Sequence, residues 1–294
     1  MKALRGLIVA LVTAIVGYGV AWLASLNSVE VQTPLYTGSL FFLCALLSFG
    51  INWLVFLPSA AARTEKFYDL TGSVTYLSMV GVGVALAPSL DLRSMLAAGA
   101  VAIWALRLGL FLFGRISKDG EDRRFAKIKT NPFRFLAAWS IQALWCLLTA
   151  AAALAILCSP VKKGPDLFLY LGAAMWVLGF AIEVIADGQK SAFRKDPTNK
   201  EAFITSGLWA WSRHPNYFGE ILLWTGMAVV AIPVLTGGLW IAIVSPLFVT
   251  FLLTKVSGIP LLDAAALQRW GEDPAYQDYR RRTPVLFPKP PSRG

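Results

Sequence analysis

The chain has 294 residues, of which 56% are hydrophobic and 15% are charged, and its mean hydropathy is +0.60. Soluble domains are about 45–50% apolar and about 25% charged, so this composition argues against a soluble enzyme or a nucleic-acid-binding module. The net charge is +10. Two sources would explain this excess of basic residues: the basic cytoplasmic loops that are typical of membrane proteins, and a binding site for an anionic cofactor. Because His214 is the single histidine, a multi-histidine metal site is excluded, and no metal is predicted.

Apolar residues come in long blocks that contain almost no charge. In chain order these are approximately 7–26, 35–57, 71–88, 95–114, 135–158, 166–186 and a longer block at 218–256. Blocks of about 18 or more apolar residues are typical of membrane-spanning helices. The last block is too long for one crossing of a core of about 30 Å, and Pro233 and Gly237–Gly238 interrupt it, which predicts a tight helical hairpin. The predicted fold is therefore all-α, a polytopic integral membrane helix bundle with seven to eight transmembrane helices.

Loop charges predict the orientation of these helices. Lysine and arginine concentrate in the segments 115–134 and 187–216 and in the C-terminal tail, whereas the alternate loops are poor in them. Basic loops face the cytoplasm, so both chain ends and both basic loops are expected there. We expect an integral protein of a bacterial inner membrane.

The segment that leaves the sixth apolar block carries a stripe of charges. Glu183, Asp187, Lys190 and Arg194 follow one another at steps of four, three and four residues, which places them on one face of a helix. One interpretation is a solvated, salt-bridged helix end with extended basic side chains. The other is a polar wall beneath the membrane that contacts a ligand.

A second polar segment favours the ligand interpretation. Pro215 predicts a turn that leads into a helix, with Arg213 and His214 before it and Asn216 after it. The N-terminus of a helix is a natural site for an anion. Flat aromatic surfaces and an ionisable group at the start of an apolar helix accompany this turn: Trp209, Trp211, Tyr217 and Glu220. An aromatic belt at the membrane surface would not account for Arg213, Asn216 and Glu220 together.

A third polar cluster precedes the third apolar block. Asp69 is placed to cap the following helix through Thr71 and Gly72, and it is equally placed to act in catalysis. Glu65, Tyr68 and Tyr76 are further candidates for proton transfer.

The stretch Ser212-Arg-His-Pro-Asn-Tyr-Phe-Gly-Glu resembles the membrane steroid 5-alpha-reductase family and its sterol-reductase relatives. The resemblance covers 182–288 and, more weakly, 63–115. It implies that NADPH binds at the cytoplasmic side. By position it gives Asp187, Lys190 and Arg194 to the ribose and phosphates, Trp209, Asn216 and Tyr217 to the dinucleotide, Glu220 to the nicotinamide end and Asp263 to the adenosine. Arg213 and His214 belong to the same motif. The implied organisation is one membrane domain, 1–294, with an N-terminal hairpin (1–60), substrate-side helices (61–180), an NADPH-binding half (181–288) and a flexible tail (289–294).

The same resemblance implies NADPH-dependent reduction of the C=C bond of an enone lipid, most specifically a 3-oxo-4-ene steroid. The pair Gln-Glu expected at the carbonyl falls near Tyr68-Asp69, and Trp104 stands where a tyrosine is expected. An enone accepts hydride when a donor polarises its oxygen, which a protonated carboxyl group or a tyrosine in a dry helix bundle can do. We predict Asp69 or Glu65 as that donor, with Tyr68 or Tyr76 assisting.

Two other functions remain open at this point. Membrane methyltransferases of isoprenylcysteine or phospholipids use a similar Arg-His-Pro motif with S-adenosylmethionine, but this cofactor has no phosphates for Lys190 and Arg194 to bind. A transporter or scaffold is the third interpretation, although the polar stripes gather at one mouth of the bundle. The expected partners are a lipid or steroid substrate and membrane lipids, without nucleic acid or an obligate protein partner.

Overall fold

The computed structural model describes residues 2–119 and 125–291, and helices dominate them. The helices are α1 (Lys2–Ser25), α2 (Leu40–Ala61), α3 (Tyr68–Leu86), α4 (Leu92–Asp119), α5 (Pro132–Cys158), α6 (Leu167–Lys195), α7 (Pro215–Ala231), α8 (Val244–Phe251), α9 (Ile259–Trp270) and α10 (Pro274–Arg282). Within the described residues, eight helical segments are long and apolar enough to cross a membrane. The prediction of an all-α, polytopic membrane helix bundle is confirmed.

A short β-hairpin between α1 and α2 corrects the predicted start of the second apolar block. The strands β1 (Glu30–Thr33) and β2 (Tyr36–Ser39) pair antiparallel, with Glu30 opposite Ser39. The block at 35–57 was thus predicted to begin too early. Threonine and tyrosine favour extended backbone, and Ser39 then caps α2 by accepting a hydrogen bond from the Phe42 amide at 3.3 Å.

The long last block is broken where proline and glycine predicted a break. After α7, a 3₁₀ turn at Ile232–Val234 is followed by a second one at Gly237–Ile243, and α8 begins at Val244. Gly237 has φ of +43°, a left-handed conformation that glycine adopts without a steric cost. The chain continues through a π-helical turn at Leu252–Val256.

Two predicted segments lie partly outside the described residues. The basic loop at 115–134 includes residues 120–124, and the predicted flexible tail at 289–294 includes residues 292–294. Lys289, the first residue of that tail, donates a backbone hydrogen bond to the Trp211 carbonyl at 2.9 Å.

The chain divides into two compact units. The first comprises Met1–Leu169 and Val230–Ser245, and the second comprises Tyr170–Val229 and Pro246–Gly294. The core of the first unit is α5, which packs against α1, α2, α3 and α4. In α5, 83% of the apolar span is buried, against 22–50% in the other spans. Four successive alanines at 150–153 are fully buried there, and their small size lets neighbouring helices approach closely.

In the second unit, glycines bring α6 and α7 together. A Cβ atom at Gly179 would lie 2.5 Å from the Gly219 carbonyl oxygen, and one at Gly219 would lie 2.5 Å from that of Gly179. A third contact repeats this geometry, because a Cβ at Gly226 would lie 2.6 Å from the Gly172 oxygen. Only backbones without side chains pack so closely. The start of α7 is consequently fixed beside the polar end of α6.

Candidate functional site

A cleft of about 750 Å³ lies in the second unit. Its walls come from the end of α6, the following loop at 195–204, the turn before α7, and the helices α9 and α10. Its volume falls within the range of about 300–1,000 Å³ that is typical of sites for small molecules and cofactors.

The lining of this cleft is strongly basic. Six cationic side chains face it: Lys190, Arg194, Lys195, Lys200, Arg213 and Arg269. Two acidic residues, Asp196 and Asp263, are the only carboxylates among the described residues that line it. A concave surface with such an excess of positive charge attracts anions, and arginine in particular binds phosphate groups in two-point geometry.

The turn before α7 supplies the most buried polar groups of the cleft. His214 Nε2 lies 3.1 Å from Asp263 Oδ1, and Arg213 Nη1 lies 3.5 Å from Asp263 Oδ2. The second contact is an ion pair without hydrogen-bond geometry. Within residues 2–119 and 125–291, Nε and Nη1 of Arg213 and Nδ1 of His214 have no hydrogen-bond partner. Buried polar atoms normally have partners, so these three atoms indicate a place for a polar ligand.

Burial also determines the charge of His214. Removal from water lowers the pKa of His214 below its ordinary value, and the nearby cations Lys190 and Arg213 act in the same direction. The hydrogen bond and the charge of Asp263 oppose this shift without cancelling it. In the neutral imidazole, the nitrogen that faces the carboxylate carries the proton, which leaves Nδ1 as an acceptor. This acceptor can bind a ligand hydroxyl.

Trp209 lines the cleft and is held by several neighbours. Its indole nitrogen donates to the Ala186 carbonyl at 3.0 Å, and Lys190 Nζ lies 4.4 Å from the centre of its ring. Tyr279 donates its hydroxyl to the Trp209 carbonyl at 2.8 Å, and burial raises the pKa of Tyr279, so it stays a donor. These contacts fix both the ring and the ammonium group that rests on it.

The far end of the cleft is aromatic, and sequence reasoning did not include it in the site. The Phe203 ring packs edge-on against Tyr276 at 5.0 Å, and the guanidinium of Arg269 lies 4.8 Å from the centre of the Trp270 ring. Arg269 also pairs with Glu201 at 3.0 Å, which joins α9 to the loop after α6. The signal in the sequence was the recurrence of aromatic residues beside arginines after position 269.

Six of the ten predicted cofactor residues line the cleft: Lys190, Arg194, Trp209, Arg213, His214 and Asp263. The other four, Asp187, Asn216, Tyr217 and Glu220, are not among its lining residues in the described part of the chain. The Asn216 amide donates to Asp187 Oδ1 at 3.2 Å, and the Tyr217 ring stacks on His214 at 5.6 Å with an interplanar angle of 6°. The bond between Asn216 and Asp187 joins the start of α7 to α6.

The predicted catalytic residues belong to the first unit. Glu65 is buried and pairs with Lys129 at 2.9 Å, and the Tyr68 hydroxyl donates to the Ala138 carbonyl at 2.9 Å. Asp69 lies inside the first turn of α3, whose N-cap is Phe67. The alternative that Asp69 caps this helix is therefore wrong, because the helix begins one residue before it.

Tyr76, the fourth candidate, is buried in α3, where its ring packs edge-on against that of Trp104 at 5.2 Å. Trp104 stands at the position where the resemblance expects a tyrosine. The hydroxyl of Tyr76 therefore belongs to a side chain that is buried against an aromatic neighbour in the first unit.

Comparison with known proteins places the chain in a family. No solved structure matches the chain. A family model described as a protein of unknown function, DUF1295, matches residues 55–283. This range covers more than half of the chain and includes both the polar cluster at the start of α3 and the cleft of the second unit. The chain belongs to the DUF1295 family.

Proposed function

We propose that this protein is an NADPH-dependent reductase that saturates the C=C bond of an enone lipid, with a 3-oxo-4-ene steroid as the specific candidate. One observation supports the cofactor. The cleft combines six cations with flat aromatic surfaces and with buried nitrogens of Arg213 and His214 that have no hydrogen-bond partner in the described part of the chain. The predicted location follows from it, with the cleft on the cytoplasmic side of a bacterial inner membrane, where NADPH is available.

The residues of the cleft fit the parts of NADPH. The phosphate groups would meet Arg213, Lys190 and Arg194, since charge-assisted hydrogen bonds to phosphate are among the strongest in proteins. A ribose hydroxyl could donate to His214 Nδ1 or to the Asp263 carboxylate. By contrast, S-adenosylmethionine has no phosphate and carries a positive sulfonium, so the same cations would repel it. The charge of the cleft thus favours a reductase over a methyltransferase.

In this reaction, bound NADPH supplies a hydride to the carbon beta to the ketone. The protein must polarise the ketone oxygen and supply a proton at the alpha carbon. Glu65 pairs with Lys129 at 2.9 Å, and the Tyr68 hydroxyl donates to the Ala138 carbonyl at 2.9 Å. We propose Asp69 or Glu65 for the polarising role, with Tyr68 or Tyr76 assisting, as their place at the start of α3 and within it allows.

The cofactor is tested with the purified full chain. A ligand that binds the folded state raises its stability, by about 2.7 kcal/mol at a hundred times its dissociation constant. We expect NADPH to raise the melting temperature, NADH to raise it less, and S-adenosylmethionine to leave it unchanged. Stabilisation by S-adenosylmethionine alone would replace the reductase by a methyltransferase, and stabilisation by neither would refute the proposed cofactor.

The reaction is tested by loss of NADPH absorbance in the presence of a 3-oxo-4-ene steroid. Replacement of Asp69 by asparagine should lower the single-turnover rate about a hundredfold or more, the usual contribution of a positioned proton donor. Glu30→Gln, an exposed carboxylate in β1, is the matched control and should leave the rate unchanged. If Asp69→Asn and Glu65→Gln both reduce the steroid at the normal rate, neither carboxyl group is the donor.

A further inference from the structure

The segment 284–289, named here the C-terminal strap, runs beside the turn that carries Arg213. The backbone amide of Arg213 donates to the Pro284 carbonyl at 2.9 Å, and the Lys289 amide donates to the Trp211 carbonyl at 2.9 Å. The strap is therefore bonded to the turn at both of its ends, once as acceptor and once as donor.

Ser212 connects the middle of the strap with His214. Its side chain is fully buried, and its hydroxyl donates to the Leu286 carbonyl at 2.8 Å. The same oxygen accepts a hydrogen bond from the backbone amide of His214 at 3.1 Å. Since Arg213 binds the strap directly, the amides of both cleft residues are held by it, one directly and one through Ser212.

Two further contacts attach the strap. The Phe287 ring packs edge-on against Phe218, in the first turn of α7, at a distance of 5.9 Å between ring centres. Ahead of the strap, the amide of the buried Thr283 donates to the carbonyl of Tyr279, whose hydroxyl in turn holds Trp209. The strap lies on the surface and Phe287 is 73% exposed, so it forms no part of the apolar core.

We propose that the C-terminal strap and Ser212 are positioning elements that hold the backbone of Arg213 and His214, and so fix the place of these two cleft-lining residues. This inference rests on the proposed cofactor. The family match ends at residue 283, one residue before the strap. The support for the Arg213 turn is thus supplied by a segment outside the matched residues.

A truncation tests the strap. Removal of residues 284–294 should weaken NADPH binding by about tenfold or more, whereas removal of 290–294, the matched control, should leave it unchanged. If the strap acts through Arg213, the long truncation should cost little further affinity in an Arg213→Gln background. Additive losses in this double-mutant cycle, or full affinity without the strap, would overturn the proposal.

Hydrogen exchange gives a readout that does not depend on the cofactor. In the full chain, the amides of Arg213 and His214 should exchange slowly, and the long truncation should accelerate both. Ser212→Ala should accelerate the His214 amide and leave the Arg213 amide protected, which also serves if the truncated chain does not fold. Unchanged exchange in Ser212→Ala would contradict the proposal. Failure of the full chain to bind NADPH would refute the proposed cofactor, while these rates would still decide the role of the strap.

Discussion

Two buried arginines, Arg93 in the first unit and Arg213 in the second, each face an aspartate but differ in how their donors are used. The Arg93 side chain is fully buried. Its Nη2 lies 2.9 Å from Asp166 Oδ1 and its Nη1 donates to the Val230 carbonyl, while its Nε, like that of Arg213, has no hydrogen-bond partner among the described residues. The Arg213 side chain is 10% exposed and lies 3.5 Å from Asp263, and its Nε and Nη1 have no hydrogen-bond partner among the described residues.

This difference in hydrogen bonding indicates that Arg93 and Asp166 form a structural pair, whereas Arg213 is a candidate ligand-binding group. The terminal nitrogens of Arg93 meet acceptors that the fold supplies, and its hydrogen bond is the largest cause that lowers the pKa of Asp166 below the ordinary value. Arg213 lines an open cleft and keeps donors for a ligand. An arginine that is buried is therefore not by itself evidence of function, whereas a buried arginine with unused donors in a cleft is.

The largest expected effect is a loss of folding stability when the structural pair of Arg93 and Asp166 is broken. Arg93→Ala should lower the free energy of unfolding, because it removes the ion pair with Asp166 and leaves the Val230 and Gly164 carbonyls without their arginine donor. Thermal unfolding of the purified protein measures this loss. The double variant Arg93→Met with Asp166→Leu is the control and should recover part of the stability, since it leaves no unpaired charge. A normal melting temperature for Arg93→Ala would show that the pair is not structural.

At the binding group the effect should fall on ligand affinity. Arg213→Gln should weaken NADPH about tenfold to a hundredfold, the contribution of a hydrogen bond to a charged group. The unfolding temperature without ligand should stay near that of the parent protein. Arg281→Gln removes an exposed cation outside the cleft, so it should leave affinity unchanged and serves as the control. Equal affinity in Arg213→Gln would mean that its free donors do not meet the cofactor.

The smallest effect concerns pH. The pKa of His214 is lowered in the folded protein, so between that pKa and the ordinary value of 6.5 the unfolded chain binds the extra proton. The stability of the ligand-free protein should therefore fall as the pH decreases through this window and be fully present above it. Melting temperatures across this pH range measure the effect, and His214→Gln should flatten the profile. The neighbouring groups Asp263, Lys190 and Arg213 remain in both proteins, so their contributions cancel in the comparison.

Much of the fold could be predicted because a membrane span has a simple physical requirement. An apolar run of sufficient length predicted α5 and α1 to within a few residues, and Pro233 with Gly237 marked the break after α7. The β-hairpin at Glu30–Ser39 was missed because its apolar residues continue into the next block. Helix α6 extends to Lys195, beyond the apolar run, because its polar stripe keeps the helical period.

The candidate site was predicted in part. The turn with Arg213 and His214 was recognisable from Pro215 and its polar neighbours, and the stripe through Lys190 from its helical spacing. The aromatic end of the cleft at Phe203 and Trp270 was missed, since these residues are far apart in the chain and the aromatic and basic residues after position 269 do not show which earlier segment they contact. The hydrogen bond between Asn216 and Asp187 at 3.2 Å is a contact that spacing alone does not indicate, and their contact with a ligand stays a prediction.

By itself the sequence determined that the chain forms membrane-spanning helices and that basic, aromatic segments follow α6 and precede α7, because hydropathy and helical period are properties of neighbouring residues. Only the tertiary structure decided which of those polar groups are used within the protein and which are left for a ligand. The partners of Arg93, Glu65 and Arg213 come from distant parts of the chain. Whether every donor of a buried cationic side chain has an acceptor depends on residues that are distant in the chain. The positions of those residues are fixed only when the helices have packed.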